Sequence, residues 1–185
     1  MRAAAKLVLV LLIIVFGCAG AEKPSVGQSR PQNSGDEEKA MIFSDITPEQ
    51  AKAMLDSDPS VIYLDVRTVP EFVAGHAPGA YNIPVAELNP ATGKMELNAA
   101  FTATVAAHLP KDAMVVVGCK TGGRSTTACE LLRDSGYTHL HNIVGGFAGM
   151  TDASGDIVKD GWSTLRYPIE RGDGGERSFS TLSRQ

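Results

Sequence analysis

The stretch most suited to chemistry is Gly118-Cys119-Lys120-Thr121-Gly122-Gly123-Arg124-Ser125. Four apolar residues, Met114 to Val117, precede it, and a helical pattern from about Arg124 to Arg133 follows and stops at Gly136. Strand, tight loop and helix in that order place one thiol at a strand end and in front of a helix N-terminus. Unpaired backbone N–H groups and the positive end of the helix dipole favour an anion there. A thiolate is such an anion, and reactive cysteines occupy electropositive surroundings of this kind. Gly122 and Gly123 let the backbone turn its N–H groups inward without a Cβ clash. The bland alternative is an inert cysteine buried at a strand end.

The elements that must hold this loop follow from capping and periodicity. Thr47-Pro48-Glu49-Gln50 is a helix start, with Thr47 as cap and Gln50 three residues on, and Asp58-Pro59 ends the helix after about Ser57. Val61 to Leu64 is a buried strand ending at Asp65, Val69 to Ala74 one short helical turn, and Ala80 to Ile83 a second short strand. Asn89 to Lys94 is a loop, and a helix runs from about Asn98 to His108. After the strand Met114–Val117 and its helix, Leu140 to Ile143 forms a last strand. Wholly apolar strands alternating with helices indicate an α/β fold, a parallel sheet covered on both faces. Ligands of such sheets bind beyond the C-terminal strand ends, where Cys119 lies.

Three segments carry a family resemblance. Asp65-Val66-Arg67 with Glu71-Phe72-Val73-Ala74-Gly75-His76-Ala77-Pro78-Gly79-Ala80-Tyr81-Asn82-Ile83-Pro84 resembles the front half of a rhodanese domain. The Cys119 loop resembles its active-site loop, and Val144-Gly145-Gly146-Phe147 the glycine pair that closes it. The resemblance covers about residues 42 to 170 and is similar to single-domain thiosulfate sulfurtransferases, including the plant senescence-associated type. It implies a central parallel sheet of about five strands and transfer of sulfane sulfur from thiosulfate, a polysulfide or a persulfide. The acceptor would be cyanide or a thiol, and the carrier a Cys119 persulfide. Such covalent transfer needs no cofactor and no metal. An ordinary thiol is only a few per cent ionised at pH 7, so the loop must favour the thiolate.

The resemblance also assigns roles. Arg124 and Thr121 bind substrate or order the loop, and Lys120 adds positive field; the alternatives are an exposed helix-start arginine, a capping threonine and a solvated lysine. Asp65 and Arg67 form a polar support, with Arg67 also a candidate to face the pocket. His76 orders its own loop. Ser125 is expected to cap the helix. Trp162, which follows an insertion from Thr151 to Asp160, is expected to be a packing residue. Two rival readings stay open. One is a phosphatase or arsenate reductase: tyrosine phosphatases and rhodanese-fold cell-cycle phosphatases place five residues between cysteine and arginine, whereas four stand between Cys119 and Arg124 here, a cradle suited to one sulfur. Some rhodanese domains are binding or sulfur-carrier modules, typically without the cysteine.

The N-terminus reads as an export signal. Arg2 and Lys6 precede an apolar stretch, Leu7 to Phe16, too short to span a bilayer unaided. Val15-Phe16-Gly17-Cys18 resembles a lipobox, with cleavage before Cys18 and lipid on its thiol, although Phe16 departs from the usual smaller residue. Ala19-Gly20-Ala21 would instead serve an ordinary signal peptidase, and an uncleaved anchor is a third reading. The expected organisation is a signal peptide over 1–17, a disordered tether over 18–40, the domain over 41–170 and a disordered tail over 171–185. A lipid-anchored protein of the cell envelope follows, with a soluble periplasmic form as the alternative.

The 185 residues suit one domain plus tails, and 43% hydrophobic content supports a core. A net charge of −4 without an internal basic cluster argues against a nucleic-acid partner. The expected partners are a small-molecule sulfur donor and acceptor and the membrane, with a protein acceptor also open. Cys129 lies roughly 7–9 Å up the helix from Arg124, beyond disulfide reach of Cys119, and should pack as a small apolar residue. His139 and His141 share a strand face but lack a third ligand for zinc.

Overall fold

The structure, a computed structural model, describes residues 43–184. The expected signal peptide, the tether and Cys18 lie outside the described residues. Five parallel strands form the central sheet in the order β1-β7-β6-β2-β3. They are β1 (Phe43–Ile46), β2 (Ile62–Asp65), β3 (Tyr81–Asn82), β6 (Met114–Gly118) and β7 (His139–Ile143). Two short antiparallel hairpins stand outside it: β4 (Ala86–Leu88) with β5 (Met95–Leu97), and β8 (Met150–Thr151) with β9 (Ile157–Lys159).

Helices α1 (Pro48–Ser57) and α2 (Val69–Ala74) cover one face, where Ala51, Tyr63, Phe72, Val116, Ile143 and Trp162 form a buried cluster. Helices α3 (Phe101–His108) and α4 (Gly123–Asp134) cover the other, burying Phe101, Val105, Val117, Ala128, Cys129 and Leu132. The expected α/β sheet with helices on both faces is the one observed. The capping box of α1 forms as its sequence predicts: Gln50 N–H donates to Thr47 Oγ1 at 3.3 Å, and Thr47 N–H donates to Gln50 Oε1 at 2.8 Å.

Three regions differ from the sequence expectations. First, β1 replaces a featureless lead-in before Thr47. Its two central residues are exposed, so it carries no apolar run, and its stability comes from pairing with β7. Second, the stretch Thr151–Asp160 is a hairpin that folds Gly161 and Trp162 back onto the glycine pair; Trp162 N–H donates to Gly146 O at 2.9 Å. Trp162 is 2% exposed and packs edge-on against Tyr63 and Tyr167, the packing role expected of it.

Third, the tail is not featureless as far as Arg184. A 3₁₀ turn (Gly175–Arg177) and α5 (Phe179–Leu182) strap the β3 edge of the sheet. Arg177 Nη1 donates to Gly79 O at 2.8 Å, His108 Nε2 lies 2.8 Å from Leu182 O, and Leu182 enters the α3–α4 core beside Phe179. Those two apolar residues sit among glycine, serine and charge, which hides them from a compositional reading. Covering a short edge strand in this way removes a pairing edge. Among the described residues no helix is long and apolar enough to cross a membrane.

Candidate active site

Strand β6 ends at Gly118, a position that takes nothing larger. A Cβ there would lie 2.2 Å from the buried Tyr63 hydroxyl. Cys119 follows, 1% exposed, and its Sγ accepts the Gly122 N–H at 3.1 Å and lies 3.4 Å from the Ser125 hydroxyl. Gly122 turns the chain into α4 with φ +117°, a conformation that side chains other than glycine's rarely adopt.

Three of the loop's carbonyls are tied to the segment 145–148. Phe147 N–H donates to Cys119 O at 2.8 Å, Ala148 N–H to Lys120 O at 2.8 Å, and Gly145 N–H to Thr121 O at 3.2 Å. This brace needs glycine at 146, where a Cβ would stand 2.4 Å from Cys119 O. With these carbonyls tied, the loop's donors are left for a ligand. The N–H groups of Lys120, Thr121, Gly123, Arg124 and Ser125 have no protein acceptor among the described residues. Unpaired backbone donors in a loop that carries a thiol favour negative charge on the sulfur or on an atom bound to it.

Arg124 closes the loop but does not point freely at the sulfur. Its two terminal nitrogens bind both oxygens of Glu71, at 2.7 and 2.8 Å. Glu71 also takes the N–H and hydroxyl of Thr68. Burial alone would push the Glu71 carboxyl up; the Arg124 and Thr68 hydrogen bonds outweigh it and hold the carboxyl at about 2. The same pairing with Glu71 raises Arg124. The guanidinium is thus fixed at the loop's end by a residue 53 positions earlier.

Comparison with known proteins agrees with this geometry. The family described as "Rhodanese-like domain" matches residues 47–153, more than half of the chain. The chain belongs to the rhodanese-like domain family. It is 42% identical over 86 residues to thiosulfate sulfurtransferase 16, chloroplastic, of Arabidopsis thaliana, covering 46% of this chain and 70% of that protein. It is 45% identical over 85 residues to the Homo sapiens thiosulfate:glutathione sulfurtransferase, covering 45% and 72%. Three further plant relatives are matched over only 48% to 53% of their length. Among solved structures, the crystal structure of Rv0390 from M. tuberculosis aligns with a TM-score of 0.58 at 29% identity, covering 70% of this chain and 98% of that one.

Within this rhodanese-like domain the other expected site residues fall into two groups. Lys120 and Thr121 are exposed on the loop rim, where a ligand can reach them. Asp65, Arg67 and His76 are buried supports. Arg67 Nε donates to Asp65 at 2.9 and 3.0 Å, its Nη2 donates to Asp65 at 2.6 Å and to Gly75 O at 2.8 Å, and its guanidinium lies 4.0 Å from the Phe147 ring centroid. At 4% exposure Arg67 does not face a pocket; through Phe147 it backs the brace instead. His76 stacks on Phe72 at 3.6 Å, and its Nδ1 lies 2.9 Å from Phe72 O.

Ser125 does not cap α4, because Gly122 holds the cap position. Its hydroxyl reaches Gly122 O at 2.8 Å and Asn142 Oδ1 at 2.6 Å, and Asn142 Nδ2 donates to Asp45 at 2.8 Å. Glu71, Asn142 and Asp45 thus join the site without having been assigned to it from sequence. Thr68-x-x-Glu71 is visible as a capping pattern; nothing local marks Asn142 among the polar residues of β7. Among the described residues no group of histidine, cysteine and carboxylates could hold a metal.

Proposed function

We propose that this rhodanese-like domain is a sulfurtransferase that carries sulfane sulfur on Cys119. The supporting observation is the loop itself: its thiol accepts the Gly122 N–H, its carbonyls are tied to Gly145, Phe147 and Ala148, and its other N–H groups have no protein acceptor among the described residues. In the first step the Cys119 thiolate attacks the outer sulfur of thiosulfate, forming the persulfide S–S bond while sulfite departs with the electron pair of the broken bond. In the second, a thiophilic acceptor such as cyanide or a thiol attacks the terminal sulfur, and the pair of the persulfide bond returns to Cys119. The Gly122 N–H and the loop's unpaired N–H groups offset the charge of both anionic forms, and Arg124, held by Glu71, adds positive field. Polysulfides or persulfides fit the donor role equally.

The phosphoryl-transfer reading is disfavoured by the four residues between Cys119 and Arg124 and by the engagement of Arg124 with Glu71. The test is thiocyanate formation from thiosulfate and cyanide beside hydrolysis of an aryl phosphate. Thiocyanate production that Cys119→Ser abolishes supports the proposal; aryl phosphate turnover of comparable rate overturns it.

On sequence alone we further propose that the domain is exported and tethered through lipidated Cys18. A fatty-acid analogue should label the wild type and not Cys18→Ala; release of an unlabelled chain beginning at Glu22 would refute the anchor.

A further inference from the structure

A cleft of about 660 Å³ adjoins the site and shares Arg124 and Glu71 with it. Its remaining walls are largely apolar: Val69 and Pro70 from the start of α2, Leu88 and Met95 from the β4–β5 hairpin. Leu88 and Met95 pair directly across the hairpin and are 58% and 47% exposed. Apolar side chains displayed together beside a reactive loop mark a binding surface, and the volume is that of a small-molecule site.

Its charges narrow the ligand. The cleft's one cation, Arg124, is engaged by both oxygens of Glu71. Glu87 also borders the cleft and has no cationic partner among the described residues. An anionic ligand would meet an occupied guanidinium and an unpaired carboxylate, whereas an uncharged or cationic apolar one meets neither penalty.

We propose that this cleft is the acceptor site, and that it takes a small thiol whose apolar body carries no negative charge apart from the reacting thiolate. The inference rests on the sulfurtransferase reading above and names its acceptor class. The acceptor's thiolate attacks the terminal sulfur of Cys119–S–SH. A new S–S bond forms, the persulfide bond breaks, its electron pair returns to Cys119 as thiolate, and the acceptor leaves as a hydropersulfide.

The experiment has two arms. In the first, protein loaded with sulfur and freed of thiosulfate reacts with benzyl mercaptan, cysteamine, 2-mercaptoethanesulfonate or cyanide. Each rate is divided by that nucleophile's rate with a small persulfide in solution. Benzyl mercaptan should exceed the sulfonate by on the order of tenfold or more, and cysteamine should exceed it as well. Leu88→Asp should remove most of the benzyl advantage, and Leu88→Met should restore it. A sulfonate rate equal to that of benzyl mercaptan, or a ranking unmoved by Leu88→Asp, overturns the proposal.

In the second arm, unloaded protein is titrated with benzyl methyl sulfide while side-chain methyl NMR signals are followed. Shifts at Leu88, Met95 and Val69 support the cleft; shifts confined elsewhere, or none, overturn it. Failure to load sulfur defeats the sulfurtransferase reading but leaves this binding result standing on its own.

Discussion

Cys119 and Cys129 are both free and both buried, at 1% and 0% exposure, and lie ten positions apart on one loop–helix unit. Burial therefore does not distinguish them. Cys129 packs on the α3–α4 face among Ala128 and Leu132, and burial pushes its thiol up to about 12. Cys119 sits in a loop with unpaired N–H groups, and its sulfur accepts the Gly122 N–H and lies 3.4 Å from the Ser125 hydroxyl. The difference lies in the surrounding main chain: loop carbonyls tied to residues 145–148 leave unpaired N–H groups in the loop of Cys119, the proposed nucleophile, whereas regular helix leaves Cys129 a small apolar residue.

The largest effect should come from exchanging sulfur for oxygen at each position. Cys119→Ser should lower sulfur transfer by on the order of a thousandfold or more without unfolding the domain, because a hydroxyl stays protonated at neutral pH. Cys129→Ser should keep most of the activity and lose about 1–3 kcal/mol of stability, since a hydroxyl is desolvated there. Thiocyanate assays and urea unfolding separate the two outcomes. Activity loss in Cys129→Ser at unchanged stability would break the comparison.

The brace comes next. Gly146→Ala places a Cβ against Cys119 O at φ +57°, so it should cut activity about a hundredfold and cost about 1–3 kcal/mol. Gly123→Ala meets nothing within 4 Å and should be tolerated. Equal losses in both would mean that loop flexibility, not the tie to 145–148, matters.

The Glu71–Arg124 pair should show itself in acid. The folded Glu71 carboxyl, at about 2, lies below its unfolded value, so its stabilisation is complete above the ordinary carboxylate range. It is then lost as pH falls toward 2. Glu71→Gln should flatten that part of the stability profile between pH 5 and 2 and lower activity by about tenfold through a less ordered Arg124. An unchanged acid profile would show that the pair is not maintained in solution.

Much of this arrangement was legible in the sequence because its signals are local. The strand–loop–helix around Cys119, the glycine pair and the Thr47 capping box each occupy a few consecutive residues. What stayed hidden depends on distant partners or on exposed elements. The strand Phe43-Ser44-Asp45-Ile46 has no apolar run because it is an edge. Phe179 and Leu182 are two anchors in a polar tail. Arg124 looks like a substrate arginine until Glu71 is folded against it, and Asn142 acquires meaning only when β7 brings it to Ser125.

Smallest in effect should be Lys120→Ala. This exposed rim cation should change KM for thiosulfate about two- to threefold, and the difference should fade with added salt.

Peptide mass spectrometry after thiosulfate treatment tests the contrast between the two cysteines most directly. One added sulfur, about 32 Da, should appear on the peptide holding Cys119, be absent from that holding Cys129, and leave as thiocyanate on addition of cyanide. Sulfur on Cys129, or none on Cys119 in protein that still turns over, would contradict the account.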